Sequence, residues 1–132
     1  MKTINLFLLI CLCFTVSCKK DDANDSTTTA YTYKGNFQAS AHPTSGIALV
    51  STDKTKLLLE NFKSDSGPNL NIYLTTSLNS VKADYIDLGD IKGLDGNYDY
   101  NIASSTDFTK YKYVVVWCVD FNVNFGYATL AP

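Results

Sequence analysis

Tyr113-Val114-Val115-Val116-Trp117-Cys118, running on through Val119-Asp120-Phe121-Asn122-Val123-Asn124-Phe125, is the stretch whose reading decides the fold. From Trp117 to Phe125 the odd positions carry Trp117, Val119, Phe121, Val123 and Phe125, while the even positions from Asp120 to Asn124 are polar. A period of two is the signature of a strand with one buried face. Between Val114 and Cys118 both parities are apolar, so the strand is expected to begin buried on both faces and to end half exposed. Gly126 then marks a bend or a bulge, and Ala128 and Leu130 close the chain.

Working outward, the same period recurs. Leu70, Ile72 and Leu74 alternate with Asn71, Tyr73 and Thr75. Short apolar runs lie at Gly35–Ala41, Gly46–Ser51, Lys56–Phe62 and Tyr85–Ile91, and Tyr98, Tyr100 and Ile102 alternate after Asp95-Gly96. Turn chemistry separates the runs: Asp53-Lys54, Asp65-Ser66-Gly67-Pro68 and Asp95-Gly96, where glycine tolerates positive φ and proline fixes φ while removing a donor. Thr106–Tyr111 allows one short helical turn, and no segment sustains a helical period. Strands at intervals of about ten residues predict an all-β domain, an antiparallel β-sandwich or a barrel-like Greek key. It is expected to occupy 31–132 as a single domain.

The start of the chain predicts export. Lys2 precedes an apolar stretch from Ile4 to Val16, about the length of a signal-peptide core and shorter than the ~20 residues of a spanning helix. Thr15-Val16-Ser17-Cys18 resembles a bacterial lipoprotein lipobox, with Thr15 where leucine is usual; the bland alternative is a cleaved secretory signal. Residues 1–17 are thus expected to be a lipoprotein signal peptide, with Cys18 carrying the lipid that holds the protein to a membrane. Residues 18–30 contain no large apolar side chain and are expected to form a disordered tether. A stretch of that length reaches about 40 Å when extended. Lys20-Asp21-Asp22 resembles the surface-export signal of Bacteroidota lipoproteins. The expected location is extracytoplasmic, at the outer membrane, on its surface or its periplasmic face.

The chain has no arginine and a formal net charge of −2, which disfavours nucleic acid as a partner. The core must be held by packing, in keeping with the 13% of Phe, Trp and Tyr. Cys11, Cys13 and Cys18 belong to the leader region, leaving Cys118 as the lone thiol of the domain. It is either a small buried hydrophobe or a reactive group. On a strand its side chain shares a face with Val114, Val116 and Asp120, while Trp117 and Val119 point the other way.

His42, the only histidine, lies in a loop between the first two runs. It is either an exposed loop residue or a partner of Cys118. One histidine and one cysteine exclude a tetrahedral Cys/His zinc site and a blue-copper site, so no metal is expected. Haem could take Cys118 or His42 as an axial ligand, although C-x-x-C-H is absent. Asp95-Gly96-Asn97-Tyr98-Asp99 mimics the start of a calcium loop, but Tyr100 stands where that loop needs glycine. Serine-hydrolase, P-loop and dinucleotide motifs are absent. Tyr31, Tyr33, Tyr73, Tyr98, Tyr100 and Tyr127 are either a sugar-stacking or adhesive patch or strand residues that pack.

Several elements together carry a resemblance. They are Gly35-Asn36-Phe37; His42 with Ser45-Gly46; Leu59 to Phe62; and Gly67-Pro68-Asn69-Leu70 with Tyr73-Leu74. Asp87-Leu88-Gly89, Lys92-Gly93, Gly96 and Tyr100 follow, then Val115-Val116-Trp117-Cys118 with Phe121, Val123, Phe125-Gly126 and Ala128 to Leu130. Their order and spacing resemble the DM-thirteen, or electron-transfer DM, domain over about Gly35 to Leu130. The resemblance implies an extracytoplasmic β domain whose signature cysteine, here Cys118, acts in redox chemistry as a bare thiol or as a ligand to a prosthetic group such as haem. His42 matches a histidine often found before the Ser-Gly element. Asn69 stands where the family commonly has aspartate. The expectation is an envelope lipoprotein with a redox cysteine and a redox partner protein; a non-catalytic module binding glycan or protein is the alternative.

Overall fold

The computed structural model describes residues 29–132; the expected signal peptide, the lipid site at Cys18 and the tether up to residue 28 lie outside the described residues. The chain forms β1 (Tyr31–Ala39), β2 (Thr44–Ser51), β3 (Lys56–Ser64), β4 (Leu70–Thr75), β5 (Tyr85–Asp90), β6 (Asp95–Asn101), β7 (Tyr113–Cys118) and β8 (Val123–Thr129). All pairings are antiparallel, in the order β5-β4-β7-β8-β1-β2-β3-β6. The all-β expectation holds, in its barrel-like form: one sheet curls until it nearly closes.

β1 makes the corner. Its first half, Tyr31 to Asn36, pairs with β2, and its second half, Phe37 to Ala39, pairs with β8. The short segment 91–94 then links the two edge strands, β5 and β6. The barrel is filled by Val50, Leu57, Leu59, Phe62, Ile72, Leu74, Tyr100, Val114, Val116, Cys118 and Phe125. Burial of such side chains stabilises by about 2 kcal/mol each before entropy is counted.

The alternation in β4 is real, yet both of its faces are covered. Leu70, Ile72 and Leu74 join the main core, while Tyr73 lies in a second cluster with Val81, Val115 and Trp117. Leu78 and Val81, from the β4–β5 connection, lie over this outer face. Thr75 is sealed with them, its hydroxyl donating to the Val81 carbonyl at 2.7 Å.

Three expectations are corrected. The run from Trp117 to Phe125 is two strands, because Cys118 pairs with Val123 across a loop of Val119 to Asn122. Asn122 takes φ 53° there, a conformation asparagine tolerates better than most residues. Asp120 therefore leaves the face of Cys118 and instead accepts from Asn69 Nδ2 at 3.0 Å. Asp95-Gly96 belongs to β6, opposite a bulge in β3 where Asn61 takes φ 48° and donates its N–H to Asn97 Oδ1. At Thr106–Tyr111, by contrast, the one expected turn forms, with the Lys110 and Tyr111 amides on the Asp107 carbonyl and the Asp107 carboxylate on Thr109 and Lys110. Among the described residues no helix is long and apolar enough to cross a membrane.

Candidate functional site

Strand direction gathers four connections at one end of the barrel: 40–43, 65–69, 91–94 and 119–122. Cys118, the last residue of β7, stands just beneath them. Its ladder neighbours are Leu70 on β4 and Val123 on β8. Its side chain is fully buried, and Sγ donates to the Pro68 carbonyl at 3.1 Å. Pro68 and Asn69 are themselves exposed. Proline at the first and Asn69 (φ 55°) at the second central position build a tight turn. Val119 N–H donates to the Asn69 carbonyl at 2.9 Å, so this turn and the β7–β8 loop are tied to each other.

His42 sits at the same end without touching Cys118. Its Nδ1 lies 3.2 Å from Asp65 Oδ2, and its ring stacks on Phe125 with centroids 3.9 Å apart. The loop that carries it is pinned to β8: the Ser40 and His42 amides both donate to the Phe125 carbonyl. The Phe125 ring in turn presses on Gly67, where a Cβ would meet Phe125 Cζ at 2.7 Å. His42 and Cys118 are thus joined through Phe125 and the Gly67-Pro68 backbone, not by a bond of their own.

No group of three His, Cys, Asp or Glu side chains able to hold a metal forms among the described residues. Haem does not fit the thiol as packed, because the Cys118 side chain is fully buried within the apolar core, between its ladder neighbours Leu70 and Val123. The calcium-like run is strand β6, with Tyr98 donating its hydroxyl to the Asp95 carbonyl at 2.8 Å. The tyrosines divide. Tyr73 and Tyr100 are buried, Tyr33 packs on Phe108, and Tyr73 stacks between Tyr85 and Trp117. The exposed large apolar side chains among the described residues are Tyr31, at 41%, and Phe121, at 67%. Phe121 tips the loop beside the thiol. Sequence patterning reads Asp65 only as a turn residue and Phe125 only as a strand residue. Each meets His42 through tertiary contact, and no local signal announces either pairing.

A small antiparallel barrel with one sealed thiol at its loop-rich end is thus the class that fold and site define. The chain belongs to the family described as Electron transfer DM13, which matches residues 36–130 and so takes in every strand that forms the site. No curated protein and no solved structure matches the chain.

Proposed function

We propose that this chain is a lipid-anchored electron-transfer domain of the cell envelope, working through the thiol of Cys118. Membership of an electron-transfer family supports the class of activity. The observation that carries the residue assignment is the place of Sγ, 3.1 Å from the carbonyl of exposed Pro68. The thiol is one residue below the surface rather than at the barrel's centre. A partner with an accessible disulfide would exchange with it: the Cys118 thiol gives its proton to solvent, its thiolate attacks one sulfur, a mixed disulfide forms, and the partner's other sulfur leaves as a thiolate. A donor protein with two thiols would then complete the transfer: its first thiolate takes the Cys118 sulfur and releases the reduced partner, and its second closes the donor's own disulfide and returns Cys118 as a thiolate. The lipid at Cys18 would hold the domain to the membrane. The partner would be another protein of the envelope.

A second reading has its own observation. Complete burial of Cys118 beside exposed Phe121 suits a non-catalytic module that binds protein or glycan through its loops, with the thiol as filler.

The test is titration of the mature protein, extracted from producing cells, with a chromogenic disulfide before and after unfolding. Native reaction at Cys118, absent in Cys118→Ala, supports the redox reading. A thiol that reacts only on unfolding moves the assignment to the binding module. A second, fast-reacting thiol that survives Cys118→Ala would show that Cys18 is not lipidated.

A further inference from the structure

We infer that the segment Asp65–Asn69 is a door over Cys118, and that His42 is its latch rather than the chemical partner of the thiol. The inference rests on the reading of Cys118 as the working residue only for its purpose; the door itself is a property of the packing.

The segment is built to move separately from the sheet. Among the described residues, the backbone amides of Asp65, Ser66 and Gly67 have no backbone acceptor. These residues run from β3 to β4 without joining either ladder. The segment's carbonyls accept three bonds, from Ser64 Oγ to Asp65, from Cys118 Sγ to Pro68 and from Val119 N–H to Asn69, and two side-chain ties clasp its ends. At one end His42 Nδ1 meets Asp65 Oδ2 at 3.2 Å. At the other, Asn69 Nδ2 donates to Asp120 Oδ1 at 3.0 Å. Between the two, Gly67 lies against the Phe125 ring, on which the His42 ring stacks. Few backbone bonds and exposed side-chain ties are the marks of a segment that opens locally, well below the cost of global unfolding.

The latch is solvent-facing, with side-chain exposures of 41% for His42 and 49% for Asp65, so it can be broken without opening the core. Removing the imidazole takes away both the tie to Asp65 and the lid on Phe125. Lifting Pro68 removes the one hydrogen-bond partner of Sγ among the described residues and leaves the thiol facing the gap.

The experiment measures the rate at which Cys118 of the mature chain reacts with a chromogenic disulfide as denaturant is raised through the range where the protein stays folded. Local opening gives a rate that hardly depends on denaturant; global unfolding gives one that climbs steeply with it. His42→Ala and Asp65→Ala are each expected to raise the denaturant-independent rate about five- to tenfold, the effect of losing one hydrogen bond. Lys56→Gln, which breaks an equally exposed pair with Asp99 on β3 and β6, is the control and should leave it unchanged. The inference is overturned if all variants react only at the global unfolding rate, or if Lys56→Gln accelerates labelling as His42→Ala does. A thiol that labels through the door yet shows no exchange with any disulfide protein would sink the proposed function and leave the door standing. Disulfide exchange in a protein that labels only by global unfolding would do the reverse.

Discussion

Among the described residues the sulfur of Cys118 has a single polar partner, the Pro68 carbonyl, and it lies in the apolar core. Cys118→Ala should therefore cost only about 1 kcal/mol, the scale of a small core truncation, measured as a shift in the denaturation midpoint, while abolishing any thiol chemistry. A loss several times larger would mark the residue as structural first. Tyr100 is a second buried residue whose chemistry can be tested. Burial pushes its phenol above the ordinary value, and the Lys92 N–H bond to its oxygen only partly offsets this. A raised folded value means that the neutral phenol's stabilisation is complete below the unfolded value, near 10, and is lost as pH rises through the folded one. Tyr100→Phe should flatten that alkaline loss in a stability–pH profile while lowering stability at neutral pH by the missing hydrogen bond. A profile with unchanged alkaline slope would assign the loss to other tyrosines.

At the scale of elements, the join between β1 and β8 is the most demanding piece of backbone. Gly126 lies where β7 and β8 shift register, and a Cβ there would strike the Thr44 side chain and come within 2.8 Å of the Gln38 carbonyl. Gly126→Ala is expected to destabilise by about 3 kcal/mol, the upper range for overpacking, in equilibrium unfolding. An effect near zero would mean that the corner of β1 yields freely. β4 was legible from its alternation, because a two-residue period survives whatever covers the outer face, and β7 from its unbroken apolar run. The end of β7 was not. Val119, Phe121, Val123 and Phe125 keep the period across a turn, and only the pairing of Cys118 with Val123 shows where the chain reverses.

For the molecule as a whole, closure joins strands far apart in the chain: β1 pairs with β8, β3 with β6, and β4 with β7. Such contacts must be made before loop-closure entropy is repaid, so folding should take milliseconds to seconds. The chain's one tryptophan, packed beside Tyr73 on the outer face, reports this in stopped-flow fluorescence. Microsecond refolding would contradict the topology. Closure also decides where function can lie. Strand direction sends 40–43, 65–69, 91–94 and 119–122 to the thiol end, where Phe121 is the most exposed large apolar side chain among the described residues.

By itself the sequence determined that the domain is all-β, that its lone thiol lies on a strand apolar on both faces, that Gly67-Pro68 is a turn and that Gly126 sits at an irregularity. These follow from side-chain period and from the backbone limits of glycine and proline, which act within a few residues. Tertiary structure alone decided that Pro68 covers Cys118, that Asp65 rather than Cys118 meets His42, and that Asp120 turns to Asn69. Those contacts join residues 23 to 51 positions apart. No local preference encodes them, because they exist only once the curled sheet has brought its loops to one end.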